Sequence, residues 1–278
     1  MEAGQWWPTL RELEQRAGGE NFTVASLLLG RRTARHLRAI YLFSRLVDEC
    51  GDAAPGDRLA VLDRVEHEVD RAFDGATTDP VFREVAAAAR ACDLPRSAFL
   101  RLIEANRLDQ RQQDYETYEQ LIAYCDLSAN PVGELVLHVF GVATPDRVAL
   151  SDRVCTALQL IEHWQDVRED AENGRIYLPA EDRVRFGVSA ADLYQASAGA
   201  PLKELLAFET RRADDLLAEG AQLIGRLSGR ARFAVAGYVA GGRTAIQCIE
   251  RAGYDVLASV PRPGRARRAL ATGVAFAR

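Results

Sequence analysis

Lysine is nearly absent from the sequence, and cysteine occurs only as scattered single residues. Lys203 is the one lysine among 278 residues, and none of the five cysteines has the CxxC spacing of a zinc site. An odd, scattered set suits the reduced thiols of a cytoplasmic protein better than a disulfide framework. The net charge of -5 and the pI near 5.5 argue against a general nucleic-acid binder.

Long hydrophobic runs and secretion signals are also missing. No stretch reaches the roughly 18–20 apolar residues that span a bilayer, and the N-terminal segment 1–19 lacks the basic start and apolar centre of a signal peptide. We therefore expect a cytoplasmic protein. The basic tail 259–278 mixes arginines with apolar residues, a pattern that fits either peripheral contact with anionic lipid at the inner membrane surface or a solvated end.

The segments that are present have the periodicity of amphipathic helices. Residues 33–52 and 57–73 place apolar side chains at steps of three and four. Clusters rich in Gly, Pro and Asp interrupt this pattern at 54–57, 77–80, 93–95, 141–146, 173–179 and 197–201. Only "RIYL" looks extended, and it is too short to build a sheet. The pattern predicts a single all-α domain over residues 1–278, with some eight to ten helices.

One predicted helix carries an unusual row of acids. It is expected to begin after Ser151 as N-cap and to end before Gly174, about six turns in all. Glu162, Asp166 and Asp170 follow one another in it at four-residue steps. Residues four apart share a helix face, where like charges cost roughly 0.2–0.5 kcal/mol per pair. Some compensating charge is therefore expected beside them.

A second acidic pair, Asp48 and Asp52, has the same spacing near the end of another apolar helix. A solvated helix face is the ordinary explanation for one such pair. Here both pairs interrupt apolar stretches, and no lysine or arginine follows either at the fourth position. Hard oxygen ligands are what Mg²⁺ prefers, so facing pairs could hold several Mg²⁺ ions around a diphosphate. A di-iron bundle is disfavoured because no histidine has the Glu-x-x-His spacing.

Four stretches resemble the squalene/phytoene synthase family of head-to-head prenyl synthases. In chain order they are "YLFSRLVDECGD", "YCDLSANPVGELVL", "QLIEHWQDVREDAENGRIYLP" and "GGRTAIQCIERAGYDVL", and the likeness runs from about residue 20 to 258. The resemblance implies an isoprenoid-synthase-type helical bundle around a central cavity. "ENFTVAS", "SANPVG" and "HWQDVRED" resemble the bacterial hydroxysqualene synthase branch, which converts presqualene diphosphate to hydroxysqualene.

The resemblance also implies roles for individual residues. Mg²⁺ would be bound by Asp48 with Asp52 and by Asp166 with Asp170, and the prenyl diphosphate by Arg45 and Arg175. The family also suggests a third role for the basic tail, in which its first arginines fold over the diphosphate. Further positions match residues that line the reaction cavity of the family: Tyr41, Tyr124, Asn130 and Gln159. Glu162 departs from the family, which usually has Asn there. A carboxylate at that position could strengthen metal binding or repel the diphosphate.

The chemistry implied is ionisation followed by capture of a carbocation. Aromatic faces stabilise such cations, and the candidates are Phe22, Tyr41, Phe43 and Tyr124. Plain core packing is as good an explanation for Phe43. For the final water, the candidate holders are Tyr124, Asn130 and Gln159, although Asn130 could equally be a helix-start residue before Pro131. His163 is interpreted as a surface or supporting histidine rather than a proton shuttle.

Three functions stay open at this stage. The first is Mg²⁺-dependent formation of hydroxysqualene, and the second is head-to-head transfer that joins two prenyl diphosphates. The third is a non-catalytic prenyl-lipid binding protein, in which Glu162 would be an early sign of lost activity. NADPH is not implied, because no Gly-rich dinucleotide motif follows a strand. No obligate protein partner is implied either.

Overall fold

The computed structural model describes residues 7–17 and 30–262. Within those ranges it contains thirteen α-helices and one short 3₁₀-helix, and its β structure is limited to an isolated bridge between Asp114 and Ile176. The helices are α1 Leu10–Ala17, α2 Arg31–Asp52, α3 Arg58–Phe73, α4 Pro80–Cys92, α5 Arg96–Asp109, α6 Tyr118–Ser128, α7 Asn130–Val139, α8 Pro145–Gln165, α9 Val167–Glu172, α10 Ala180–Phe186, η1 Ala190–Tyr194, α11 Ala200–Gly220, α12 Gln222–Gly225 and α13 Gly229–Arg251. The predicted all-α class is confirmed.

The chain divides into two compact units. The first comprises residues 1–111 and 131–144, and the second comprises residues 112–130 and 145–278. The expectation of one single domain stays a prediction. No helix in the described part of the chain is long and apolar enough to cross a membrane.

Helix starts follow from local capping groups. The Asp57 side chain accepts from the Ala60 backbone N–H at 3.1 Å and begins α3, and Asp79 accepts from the first-turn amides of α4. Thr117 does the same for Gln120 at the start of α6. Such caps satisfy backbone donors that have no partner within the helix. The predicted breaks at 54–57 and 77–80 therefore mark real boundaries.

The predicted start of the long acidic helix is wrong. The helix α8 begins at Pro145, and Ser151 is a buried residue inside it rather than an N-cap. Proline fits the first turn of a helix, so "TPD" opens the helix instead of ending a loop. The helix is also interrupted at Asp166, where φ is −104° and ψ is 19°, and α9 follows. Gly174, with φ of +79°, lies just beyond the end as predicted.

The core of the first unit is built on the apolar face of α2. The fully buried Phe43 contacts Phe82 and Phe99 edge-to-face, with ring centroids 6.1 Å and 5.0 Å apart. Leu46 and Val47 are completely buried beside them. Burying one such side chain contributes about 1.5–3 kcal/mol to stability. The apolar face of α2 is therefore held against the core, and this leaves the other side of the helix to its polar residues.

The core of the second unit depends on close helix approach at glycine. A Cβ at Gly220 of α11 would lie 2.6 Å from Val154 Cγ2 and 2.8 Å from the Val154 backbone nitrogen. A Cβ at Gly242 of α13 would lie 2.8 Å from Leu158 Cδ2. The glycines of "GYVAGG" thus include one that serves helix packing.

Glu209 of α11 is a buried carboxyl in the second unit, beside Asp182. Glu209 is 0% exposed and Asp182 is 4% exposed. Arg212 Nη1 donates to Asp182 Oδ2 at 2.8 Å and to Glu209 Oε1 at 3.3 Å. Burial, and then the adjoining Asp182, raise the pKa of Glu209 to about 8 against the opposing charge of Arg212. One arginine serves two buried carboxyls, so Glu209 retains its proton at neutral pH.

The raised pKa of Glu209 predicts a pH-dependent stability. Because the folded state binds this proton more tightly than the unfolded chain, the stabilisation is complete below the ordinary pKa of 4.5 and is lost as the pH rises to about 8. Glu209→Gln keeps a neutral side chain, so it should raise the free energy of unfolding above pH 8 by about 1–3 kcal/mol. Thermal unfolding of this variant and of the exposed control Glu204→Gln, across that pH range, checks the prediction; identical curves for both would contradict it.

Candidate active site

The first acidic pair lies in the last turns of α2. Asp48 is half-buried and Asp52 is exposed. Asn106 of α5 donates from Nδ2 to Asp48 Oδ1 at 3.5 Å. Burial raises the pKa of Asp48 to about 6, Asn106 and Arg45 oppose this rise, and the charges of Asp52 and Asp109 add to it. Burial thus disfavours the charged form of the Asp48 carboxylate, and a bound cation would offset this effect.

Helix α5 supports this pair in a way that the sequence did not reveal. Asn106 is only 9% exposed and also donates to the Leu102 carbonyl at 3.3 Å. Gln110 Nε2 donates to the Gly51 carbonyl at 3.0 Å. A Cβ at Gly51 would lie 2.2 Å from Asn106 Oδ1, so glycine is needed for this approach. The available signal was a glycine between two motif acids, since glycine inside a helix costs about 0.5–1 kcal/mol relative to alanine.

The other predicted residues of α2 separate into two groups. Tyr41 is half-buried at the edge of the first unit's core, and the charge of Arg45 acts on Asp48. Phe43 is fully buried among aromatic rings, which is core packing, so its predicted place in a reaction cavity gains no support. Phe22 lies outside the described residues, as does the tail after Arg262.

The second acidic motif keeps its four-residue register through the helix break. The backbone N–H of Asp166 donates to the Glu162 carbonyl at 3.0 Å, and that of Asp170 donates to the Asp166 carbonyl at 2.9 Å. The three acids therefore follow one row along α8 and α9. Over residues 7–17 and 30–262, no group of three or more His, Cys, Asp or Glu side chains is gathered closely enough to hold a metal ion. Mg²⁺ commonly takes one or two carboxylates together with phosphate oxygens and water.

Positive charge reaches this motif from the start of the C-terminal tail. Arg262 Nη2 donates to Asp166 Oδ1 at 3.1 Å, and Gln165 Nε2 donates to the Pro261 carbonyl at 2.5 Å. Desolvation raises the pKa of Glu162; His163 and Arg262 oppose this rise, whereas Asp166 and Asp170 add to it. Arginine is thus part of the compensation for the repulsion within the row.

Four rings pack behind the second motif, and we call them the aromatic cluster: Tyr115, Tyr124, His163 and Tyr177. His163 is only 6% exposed and stacks on Tyr177 with centroids 3.6 Å apart at 16°. It is therefore a buried supporting residue and not a surface one. Tyr124 is 5% exposed, and its ring lies 5.7 Å from that of Tyr177.

The two predicted amide residues have different surroundings. Gln159 is half-buried, and its Nε2 lies 3.1 Å from His163 Nε2. Asn130 is 2% exposed; its Nδ2 donates to Asp126 Oδ1 at 2.6 Å and its Oδ1 accepts from Thr156 at 3.0 Å. Both ends of the Asn130 amide are engaged within the protein. Its environment fits the helix-start alternative better than the holding of a water molecule.

The segment that carries Arg175 is held in place by backbone hydrogen bonds and by a nearby ion pair. The Arg175 N–H donates to the Asp170 carbonyl at 2.8 Å, and the Ile176 N–H donates to the Gln113 carbonyl at 2.7 Å. Arg183 Nη2 donates to both carboxylate oxygens of Asp114, at 2.6 and 2.5 Å. A cavity of about 10 Å³ lies among residues that include His163, Asp170 and Arg175. The structure thus brings Arg175 beside the second acidic motif.

Comparison with known proteins places this arrangement in a family. The sequence profile described as squalene/phytoene synthase matches residues 15–272. A hydroxysqualene synthase from Sinorhizobium fredii is 34% identical over 78% of this chain and 74% of that protein, and a phytoene synthase from Mycobacterium tuberculosis is 32% identical over 77% and 72%. The crystal structure of squalene synthase HpnC from Alicyclobacillus acidocaldarius is 43% identical, covers 88% of this chain and 92% of that one, and superposes with a TM-score of 0.83. This chain belongs to the squalene/phytoene synthase family.

Proposed function

We propose that the protein converts presqualene diphosphate and water to hydroxysqualene and inorganic diphosphate, with Mg²⁺. The observation that carries the proposal is the presence of two acidic motifs whose carboxylates lie four residues apart. An arginine acts on each motif: Arg45 acts on Asp48, and Arg262 acts on Asp166. The "SANPVG" stretch and the identity to a hydroxysqualene synthase favour this reaction within the family.

The chemistry of the carboxylates fits Mg²⁺. Members of the family use divalent metal ions to ionise diphosphates. Here the desolvated Asp48 and the exposed Asp52 offer hard oxygen donors, as do Asp166 and Asp170. When bound, Mg²⁺ supplies Lewis-acid stabilisation of negative charge on the leaving diphosphate. Asp48 with Asp52 would hold such an ion in the first unit, and Asp166 with Asp170 would hold one in the second.

The arginines bind and orient the diphosphate. A planar guanidinium donates to two phosphate oxygens at once, so Arg45 and Arg175 are suited to this task. The Arg175 backbone N–H donates to the Asp170 carbonyl, and this hydrogen bond holds Arg175 next to the second acidic motif. As the bond from carbon to oxygen breaks, its electron pair leaves with the diphosphate, and fixed positive charge lowers the barrier.

The remaining steps concern the carbocation. Aromatic faces stabilise a cation by about 0.5–2 kcal/mol each, and Tyr41 and Tyr124 are the predicted ones. After rearrangement, a water oxygen forms the new bond to carbon and loses a proton. Gln159 is half-buried and polar, so we place the holding of that water there rather than at Asn130.

Glu162 is the residue on which the proposal departs most from the family pattern. Desolvation raises its pKa, as do the neighbouring Asp166 and Asp170. A negative charge is therefore less favoured on Glu162 than on a free glutamate. We propose that this lessens the repulsion between Glu162 and a diphosphate.

A second candidate is head-to-head condensation of two prenyl diphosphates, favoured by the 32% identity to a phytoene synthase. Purified protein should be incubated with Mg²⁺ and either presqualene diphosphate or farnesyl diphosphate, and the products identified by mass spectrometry. Hydroxysqualene from presqualene diphosphate supports the proposal. A condensation product from farnesyl diphosphate alone would replace it with the transferase, and binding without turnover of either would indicate a lipid-binding protein.

A further inference from the structure

We infer that His163 is a positioning residue that fixes the carboxylate of Asp170, and through it the second metal-binding motif, by way of its Nδ1 atom. The inference deepens the proposed function and rests on it, because it assumes that Asp170 binds a metal ion. It concerns a residue that the sequence pattern left as a supporting histidine.

The ring of His163 is held in one orientation. It is 6% exposed and stacks on Tyr177 at 3.6 Å and 16°, and Tyr124 packs nearby with centroids 6.3 Å apart. Tyr177 is itself placed by the anchored segment, where the neighbouring Ile176 donates to the Gln113 carbonyl at 2.7 Å. Rings packed face to face at this distance cannot rotate without displacing one another.

The hydrogen bond of Gln159 selects the tautomer of this ring. The Gln159 amide nitrogen lies 3.1 Å from His163 Nε2, so that amide donates and Nε2 accepts. In the neutral imidazole the proton then lies on Nδ1. Nδ1 is 3.7 Å from Asp170 Oδ2, just beyond hydrogen-bond distance, so a small shift of Asp170 would bring its carboxylate within reach of the Nδ1 proton.

Asp170 needs such a partner. Its side chain is 25% exposed in the first turn of the short helix α9, just after the break at Asp166. Mg²⁺ demands near-ideal octahedral geometry, so the orientation of each carboxylate matters. Loss of an outer partner of a metal ligand typically weakens metal binding by about 10–100-fold.

Three substitutions separate the two ring nitrogens. His163→Phe keeps the stack on Tyr177 and removes both nitrogens. His163→Asn places an N–H₂ group at the position of Nδ1, and His163→Gln places one at the position of Nε2. Binding of Mn²⁺ to the full chain, with inorganic diphosphate present, is measured by electron paramagnetic resonance. We expect binding about 10-fold weaker for His163→Phe and His163→Gln, and near-normal binding for His163→Asn.

Asp170→Asn calibrates the same assay and keeps the two proposals distinguishable. If Asp170→Asn leaves Mn²⁺ binding unchanged, the metal assignment of the proposed function fails. If Asp170→Asn weakens binding while His163→Phe does not, the positioning role is overturned and the metal site stands. Should His163→Phe fail to fold, the comparison of the Asn and Gln variants decides, and equal binding by those two would overturn the inference.

Discussion

Asp48→Asn or Asp166→Asn is expected to lower turnover of the prenyl diphosphate by at least about 100-fold, which is about 2.7 kcal/mol of transition-state stabilisation. Asparagine keeps the shape and loses the charge that would bind a cation. Initial rates of diphosphate release, measured with saturating substrate over a range of Mg²⁺ concentrations, report the effect.

Neighbouring carboxylates provide matched controls. Glu49→Gln in α2 and Glu169→Gln in α9 remove one negative charge each, next to a motif but outside its four-residue row. We expect both to stay within about threefold of the wild type, since Glu169 is exposed, Glu49 is half-buried, and neither belongs to a four-residue row. Equal losses in controls and motif variants would mean that net charge, and not the pairs, governs activity.

Asp48→Asn should also stabilise the metal-free protein. The pKa of Asp48 is raised from 3.8 to about 6, so the stability that its proton gives is complete below 3.8 and is lost as the pH rises through about 6. An amide has no charge to desolvate. In the presence of a chelator, the variant should therefore unfold at a higher temperature than the wild type above pH 6. A residue whose removal stabilises the fold and abolishes turnover is retained for function.

The second large effect is expected at Gly51. In Gly51→Ala, the new methyl group would lie 2.2 Å from Asn106 Oδ1, so the Asn106 side chain must turn away and lose its contact with Asp48. A buried amide left unsatisfied costs about 1–3 kcal/mol. We expect lower thermal stability, together with turnover reduced about tenfold or more because Asp48 loses its partner. Thermal unfolding and initial rates measure the two effects.

A double-mutant cycle tests the cause. In Gly51→Ala combined with Asn106→Ala, the contact at 2.2 Å is gone and only Asn106 Cβ, at 3.2 Å, remains close, so the double variant should lie nearer to Asn106→Ala alone than to the sum of both losses. Gly241→Ala in α13 is the control, because no atom lies within 4 Å of a Cβ placed there. That control should gain about 0.5–1 kcal/mol from helix propensity. Additive losses in the cycle would contradict the proposed contact.

The fold class could be predicted from the sequence because its determinants are local. Apolar spacing, Asp57 and Asp79 as caps, and the Pro and Gly breaks each act within a few residues. The start of α8 could not be fixed in this way. Both Pro145 and Ser151 are good helix-start residues, and only the packing that buries Ser151 decides between them.

In the candidate site, the spacing of the acids could be predicted from the sequence, but their partners could not. The register of Asp48 with Asp52, and of Glu162 with Asp166 and Asp170, follows from helix geometry alone. The partners of these acids do not, because they come from elsewhere along the chain: Asn106 from α5 and Arg262 from the C-terminal region. Burial of His163 was also unpredictable, since it depends on Tyr177 in a segment without regular structure.

The central claim is that water captures a carbocation after the diphosphate has left. The most direct test is turnover of presqualene diphosphate with Mg²⁺ in water enriched in the heavy oxygen isotope, followed by mass spectrometry of the alcohol. We expect hydroxysqualene that carries the heavy isotope, and released diphosphate that carries none. An alcohol without the label would mean that water attacks phosphorus, and a hydrocarbon or no product would contradict the proposed reaction.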